Sequence, residues 1–318
     1  NDLNKIPLIL FVLTSLLGSS QQLSLIDVYC EEDSASHVVI DPEALYIERW
    51  DILAQPIFWK SIMNLSADTC IINDASSREV LGYVGKGEWH KQSEEQKNAY
   101  KDSVRLAYCL DFDTKIYITS GKKDFYLIEE VIPSISRAID VFKGNTVDPW
   151  FAQAILLIES PGKLKYSRTG AFGSFQLMKS VARSLGLTVN KTIDERKDFD
   201  KSALAASQLL KTICIPHARR ILCDKDIDPV GDELWFKLLV LHIYHAGARN
   251  VEGLLCQLDE PLQGMELIQW MWTNEWGNFK NASQNYSQVA IAAMLCLQDI
   301  VLQDCDFIFP CEEQFNSF

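Results

Sequence analysis

A long series of apolar segments with helical spacing is the feature that most constrains the fold. From residue 128 onward, apolar residues recur every three to four positions, as they do on the buried face of amphipathic helices. Asp148 followed by Pro149 is typical of a helix start, because aspartate caps the first turn and proline fits its first position. The pattern predicts a mainly helical C-terminal part, with helices at 128–142, 149–159, 177–185, 203–212, 232–245 and 286–303.

The region before residue 128 has a mixed pattern. Residues 50–63 suit an amphipathic helix, whereas 115–119 (KIYIT) alternates polar and apolar residues, as a half-buried strand does. The polar residues 120–123 indicate a turn, and the apolar residues 125–127 predict that the strand returns as a short β hairpin. We therefore predict a mainly α protein, in which a smaller mixed α/β accessory region at 21–127 precedes a helical domain at 128–318.

The N-terminus has the order of a secretory signal peptide. Lys5 precedes an apolar run at 6–17, and small residues follow at 18–20. The run is shorter than the roughly 20 residues that a transmembrane helix needs. A buried N-terminal helix is the alternative interpretation. We predict a signal peptide at 1–20, no transmembrane span after its removal, and a periplasmic or secreted location.

Charge and cysteine content argue against several functions. Lys and Arg together number 30 against 43 Asp and Glu, a net charge of −13, whereas nucleic-acid-binding proteins carry basic surfaces. The nine cysteines include no Cys-x-x-Cys pair, so we predict no zinc or dithiol redox site, no metal and no cofactor. Cys109 and Cys296 lie in apolar runs and are expected in the core. Cys305 and Cys311 are the pair most readily bridged.

Glu159 closes the predicted helix 149–159, directly after the apolar sequence WFAQAILLI. Apolar surroundings disfavour the charged form of a carboxylic acid and raise its pKa toward values that suit a general acid. The alternative is a solvated glutamate at a helix end, which is the commoner situation for an isolated residue of this kind.

Three further motifs follow Glu159 along the chain. The sequence GAFGSFQLM at 170–178 places two glycines three residues apart, and glycine lets backbone approach a ligand closely. YHAG at 244–247 ends the apolar helix 232–245, and NYS at 285–287 opens the last helix. Each motif alone also has a structural explanation, as a tight turn or a helix end.

Taken in order, these four motifs resemble those of the soluble lytic transglycosylases, whose catalytic domain has a lysozyme-like fold. The resemblance covers about residues 131–300 and implies that Glu159 is the general acid and base. The chain departs from the family at His245, where asparagine is usual, and at 174–175, where Leu-Met is usual. The resemblance places the following residues at the substrate: Ser160, Gly173, Gln176, Met178, Tyr244, His245 and Tyr286.

The resemblance also implies a mechanism with a single acid. Most glycosidases use two carboxylates, but these motifs contain no second acid, and Asp194 and Glu195 merely lie between them. In the family, one glutamate acts with the N-acetyl group of the substrate to cleave the MurNAc–GlcNAc β-1,4 bond of peptidoglycan glycan strands, forming a 1,6-anhydro ring. A goose-type lysozyme hydrolase and a catalytically inactive peptidoglycan-binding protein remain alternatives. In each case the protein is expected to be associated with the cell wall.

Overall fold

The computed structural model of the chain describes residues 24–30, 34–159, 167, 170–227 and 233–304. It is mainly helical, with two small antiparallel sheets near the N-terminus, which confirms the predicted fold class. The predicted signal peptide and the pair Cys305 and Cys311 lie outside the described residues. The strands are β1 Leu25–Cys30, β2 Ala35–Ile40, β3 Thr69–Asp74, β4 Val80–Gly85 and β5 Ile116–Ser120.

The helices of the N-terminal part are α1 Glu43–Ile47, α2 Ala54–Asn64, α3 Lys86–Lys91 and α4 Glu94–Ala107. Those of the C-terminal part are α5 Ile132–Gly144, α6 Trp150–Glu159, α7 Lys179–Ser184, α8 Phe199–Leu209, α9 Ile215–Cys223, α10 Leu234–Ala246, α11 Ala248–Leu255, α12 Gly264–Thr273 and α13 Asn281–Asp304.

The helices predicted from apolar periodicity are present, and their ends differ by a few residues. The first predicted helix begins with a 3₁₀ turn, Glu129–Val131, before α5. Helix α8 continues into a π-helical turn, Leu210–Cys214. Helix α13 begins at Asn281, before the predicted start at 286. Polar residues occupy its first turn, and apolar spacing gives no sign of a polar turn.

The predicted hairpin at 115–127 is wrong, although its strand is present as β5. That strand pairs with the central β3 in the order β4-β3-β5, and residues 125–127 form no strand. The turn at 120–123 instead bonds to the start of β3, where Gly121 donates its N–H to the Thr69 carbonyl, and to the α2–β3 connection, where Lys123 donates to the Leu65 carbonyl. The chain therefore leaves the sheet at the point where the local pattern indicated a return.

Helix α13 runs through the main hydrophobic core, where it packs against α2, α6 and α10. Residues 281–302 are long and apolar enough to cross a membrane, so length and composition alone do not support the predicted absence of a later transmembrane span. However, 72% of that apolar window is buried inside the protein, as expected for a core helix.

Cys296 of this helix is buried as predicted, whereas Cys109 is exposed. Cys109 follows the end of α4 with a positive φ, where the chain turns at the surface.

The N-terminal strands and α2 contribute directly to this core. Gln153 of α6 is fully buried and makes two 2.8 Å hydrogen bonds with the backbone of Ile40, accepting from its N–H and donating to its carbonyl. Trp59 of α2 donates to Gln288 of α13. Side chains from both sides of the predicted 127/128 division thus pack together, and the division into two domains stays a prediction. A separate small core, formed by Ile72, Leu81, Val104 and Ile116, lies between the β3–β5 sheet and α4.

Candidate active site

Glu159 is the last residue of α6, a helix that is fixed at its start and in its middle. Asp148 accepts a 2.8 Å hydrogen bond from the Trp150 N–H, the cap that the sequence predicted, and forms a 2.6 Å ion pair with Lys237. Gln153 ties the middle of the helix to strand β2. The residues from Trp150 to Leu157 are buried, and Glu159 at the end is partly exposed. The helix therefore carries its carboxylate from the core to the surface of the site.

Burial raises the pKa of Glu159 from 4.5 to about 7, and its interaction with the Tyr286 hydroxyl partly opposes that rise. Across the described residues, no cation and no second carboxylate contributes to this shift. The Tyr286 hydroxyl itself has no hydrogen bond of standard geometry in that part of the chain. The negative end of the helix dipole also disfavours a charge at this position. Glu159 therefore exchanges a proton near neutral pH, as a general acid must.

Three tyrosines lie close enough to Glu159 to be affected by its charge. Burial first, and then the charge of Glu159, raise the pKa of Tyr244 and Tyr286 well above the ordinary value. The same two causes raise the pKa of Tyr126 to about 12. All three phenols are therefore neutral hydrogen-bonding groups. The sequence motifs pointed to Tyr244 and Tyr286, whereas no local pattern marks Tyr126, which reaches the site from before α5.

His245 stacks on the ring of Tyr286, with ring centroids 4.4 Å apart and 24° between the planes. The surrounding protein lowers the pKa of His245, so its imidazole is neutral at neutral pH even though part of the side chain is exposed. A neutral imidazole has one donor and one acceptor, and the asparagine amide offers both functions as well. The departure from the family at this position thus preserves the hydrogen-bonding character.

The glycine-containing motif forms a tight turn at 173–176, closed by an antiparallel bridge between Phe172 and Leu177. Gly173 has φ +86°, and a side chain there would place Cβ 2.2 Å from the Arg196 carbonyl oxygen. Gln176 donates from Nε2 to the Gly173 carbonyl at 3.0 Å. The contacts within the protein therefore require glycine at position 173, whether or not a ligand approaches it.

Hydrogen bonds from two directions hold this turn in place. The Tyr244 hydroxyl donates to the Phe175 carbonyl at 2.7 Å, which links the turn to the tyrosines around Glu159. Arg196 donates from Nη1 to the Gly170 and Leu177 carbonyls at 3.0 and 2.9 Å. Phe175, a departure from the family pattern, is fully buried and stacks on Phe142. Its side chain therefore belongs to the core.

The structure brings Glu159, Tyr244, His245 and Tyr286 together, and Tyr244 connects them to the turn that contains Gln176. Gly173 is buried, while Met178, after the turn, is 40% exposed. Ser160 lies outside the described residues. The roles of these residues toward a substrate stay predictions. No group of three or more His, Cys, Asp or Glu side chains within the described ranges could hold a metal ion.

The two acids that lie between the motifs are both engaged in ion pairs. Asp194 forms two hydrogen bonds to the buried guanidinium of Arg196, at 2.9 and 2.8 Å. Glu195 accepts 2.6 Å hydrogen bonds from Lys201 and from the Thr188 N–H, and these lower its pKa. Both acids thus have structural partners, and Glu159 is left without a second catalytic carboxylate in the described part of the chain.

Comparison with known proteins agrees with this geometry. Residues 139–223 match the family model of the transglycosylase SLT domain. The chain therefore contains a lysozyme-like domain of the soluble lytic transglycosylase type, a family of enzymes that act on peptidoglycan. The matched segment includes Glu159 and the turn, and it ends before Tyr244, His245 and Tyr286. No curated protein matches the chain.

Proposed function

We propose that this protein is a peptidoglycan lytic transglycosylase that cleaves the MurNAc–GlcNAc β-1,4 bond and leaves a 1,6-anhydro-MurNAc end. The observation that carries the proposal is the raised pKa of the Glu159 carboxyl and the burial that causes it. Its carboxyl has a pKa of about 7 and three neutral tyrosines nearby, and no second carboxylate of the described residues influences it. A single acid of this kind suits a reaction in which the substrate supplies the other catalytic group.

In the first step, protonated Glu159 donates its proton to the glycosidic oxygen as the bond from that oxygen to C1 of MurNAc breaks. The leaving GlcNAc then carries a free hydroxyl group. The N-acetyl carbonyl oxygen of MurNAc stabilises the oxocarbenium-like C1. Tyr126 and Tyr244 are neutral and bring no additional charge beside the acid, while the Tyr286 hydroxyl stabilises the carboxylate that this step leaves on Glu159.

In the second step, the Glu159 carboxylate takes the proton of the C6 hydroxyl of the same sugar, and O6 bonds to C1. The ring closes without water, and Glu159 regains its proton for the next cycle. A pKa near 7 suits both steps, because the same group must give and accept a proton at neutral pH. His245, neutral and stacked on Tyr286, is proposed to hydrogen-bond the sugar or its acetamido group.

The location follows from the substrate. Peptidoglycan lies outside the cytoplasmic membrane, so the protein is expected to act outside the cytoplasm, in the periplasm or after secretion. The basic, apolar and small-residue order of residues 1–20 supports export through a signal peptide.

Mass spectrometry of the products of purified peptidoglycan tests the proposal. The expected products carry 1,6-anhydro ends, which are lighter by one water molecule than the reducing ends left by a hydrolase. Reducing ends would instead establish a goose-type lysozyme activity. Binding to the wall without any product would establish an inactive binding protein.

Glu159→Gln provides the matched control, because it keeps the size of the side chain and removes the acid. This variant is expected to release anhydro product about 10²–10⁴-fold more slowly while still binding the wall. Anhydro product formed at the wild-type rate by the variant would refute the assignment of Glu159.

A further inference from the structure

A cavity of about 580 Å³ lies beside the glycine-containing turn and has no role in the mechanism above. Its buried lining residues are Val189 and Arg196, and its exposed ones include Lys179 and Arg183. Met178, which follows the turn, also lines it. The volume lies within the range of roughly 300–1,000 Å³ that small-molecule sites occupy.

The inner surface of this cavity is held rigidly by Arg196. Its side chain is 3% exposed, and the guanidinium pairs with Asp194 through two hydrogen bonds and donates to the carbonyls of Gly170 and Leu177. Its charge is therefore balanced within the protein. Arg196 thereby links the segments on either side of the cavity, at 170–178 and 189–194.

The charges of the two exposed cations, Lys179 and Arg183, are not paired in this way among the described residues. Lys179 and Arg183 are four residues apart on α7 and so share one face of that helix. Arg183 donates from Nε to the Val189 carbonyl at 2.7 Å, which orients its guanidinium beside the cavity. No acidic side chain in the described part of the chain pairs with either cation. In a protein of net charge −13, this is a local positive site.

Asp194 also lines the cavity, but its charge is paired with that of Arg196. The remaining charged lining residues, Lys179 and Arg183, favour a carboxylate attached to a short organic chain over a bare anion. Lysine and arginine both form charge-assisted hydrogen bonds to carboxylates, and arginine can do so with two parallel bonds. Val189 and Met178 add apolar surface next to the two cations. Peptidoglycan strands carry short peptides that have carboxylate groups, so a ligand with this combination accompanies the proposed substrate.

We propose that this cavity binds a carboxylate of the peptide attached to the glycan strand and thereby makes peptide-substituted strands the preferred substrate. The inference rests on the proposed function, since it assigns a second part of the same substrate to the same domain. It predicts that the peptide contributes to turnover through Lys179 and Arg183, separately from the sugar contacts near Glu159.

The test compares kcat/KM on intact peptidoglycan with kcat/KM on glycan strands from which an amidase has removed the peptides. The double variant Lys179→Gln/Arg183→Gln is expected to lose about tenfold or more on intact peptidoglycan, the effect of one charge-assisted hydrogen bond. On peptide-free strands it should differ from wild type by less than about twofold. Equal losses on both substrates, or no loss on either, would overturn the proposal.

Two further variants guard against misfolding and non-specific charge effects. Lys143→Gln/Lys225→Gln removes the same charge from positions that do not line the cavity, and it should show no preference between the substrates. Lys179→Gln alone removes a side chain that makes no ion pair within the described residues, so it should fold normally and still weaken turnover of intact peptidoglycan.

A binding measurement separates failure of this inference from failure of the proposed function. If wild type turns over neither substrate, the proposed function fails. Calorimetric titration with a soluble disaccharide-peptide that carries free carboxylates then tests carboxylate binding in the cavity independently of turnover. A Kd weakened about tenfold or more in the double variant supports the carboxylate site, and an unchanged Kd refutes it.

Discussion

Glu159 and Asp194 are two largely shielded carboxylates of the helical region, and their surroundings differ in one respect. Asp194 has a cation beside it, the buried guanidinium of Arg196, to which it forms two hydrogen bonds. Glu159 has no cation among the described residues, and burial raises its pKa to about 7. A paired carboxylate remains charged and holds structure together, whereas an unpaired one retains a proton that it can transfer.

Because their surroundings differ, Asp194 and Glu159 are expected to have different roles. The Asp194–Arg196 pair fixes the glycine-containing turn through the Gly170 and Leu177 carbonyls. The hydrogen bond from the Tyr244 hydroxyl to the Phe175 carbonyl connects that turn to the region around Glu159. Asp194 thus helps to position one wall of the site in which Glu159 is proposed to act. Replacing each acid by its amide should separate the structural role of Asp194 from the proposed catalytic role of Glu159.

The largest effect is expected for Glu159→Gln. Removing a general acid should lower kcat on peptidoglycan by about 10²–10⁴-fold. The free energy of unfolding should not fall, because the amide removes a charge that burial disfavours. Turnover assays and denaturant unfolding on the same preparation test both parts. A variant that is both inactive and unfolded would contradict the separation of the two roles.

Asp194→Asn is expected to affect stability most. The amide removes the charge that is paired with the buried Arg196 guanidinium, and breaking such a pair destabilises proteins by about 3–5 kcal/mol. Denaturant unfolding measures the loss. Asp198→Asn is the matched control, since Asp198 caps α8 by accepting from the Lys201 N–H and asparagine can keep that cap, so the loss should be below roughly 1 kcal/mol. Equal losses in the two variants would show that the Asp194 pair contributes nothing beyond a cap.

The helices could be predicted from sequence because they depend on local patterns, whereas Glu159 is singled out by the order of the four motifs along the chain. Apolar spacing identifies the face of a helix that must be buried, and the core observed around α13 uses those faces. The position of Glu159 after an apolar run indicated partial burial, which is the reason for its raised pKa.

Features that depend on contacts between distant segments could not be predicted in this way. Strand β5 pairs with β3, and the local turn signal at 120–123 could not reveal that partner. Tyr126 reaches Glu159 only because its segment packs on the helical core. The need for glycine at position 173 arises from the Arg196 carbonyl, which no spacing rule connects to it.

The pH dependence of stability should also distinguish Glu159 from Asp194. Folding raises the pKa of Glu159 from 4.5 to about 7, so the folded state binds a proton more tightly than the unfolded state does. The stability difference between Glu159→Gln and wild type should therefore be constant below about pH 4.5 and increase by about 2–3 kcal/mol in favour of the variant as pH rises through 7. Unfolding free energies measured at several pH values test this. A pH-independent difference would mean that the carboxyl titrates normally.

Activity should follow the same ionisation. The first step requires protonated Glu159, so kcat/KM should fall as pH rises above about 7. Tyr286→Phe removes the hydroxyl that lowers the Glu159 pKa and should shift this midpoint upward, by about one pH unit or less. A downward shift would show that Tyr286 favours the protonated acid instead.

The smallest effect is expected for Tyr126→Phe. The charge of Glu159 raises the pKa of Tyr126, but Tyr126 is not among the groups that shift the pKa of Glu159. The midpoint of the pH profile should therefore remain at its wild-type value, in contrast to Tyr286→Phe, while kcat/KM falls by less than about tenfold through loss of one neutral hydrogen-bonding group. Full pH profiles of the two tyrosine variants, collected side by side, make this comparison. Equal midpoint shifts would place Tyr126 and Tyr286 in the same relation to the acid, so the N-terminal segment would then control its proton as directly as α13 does.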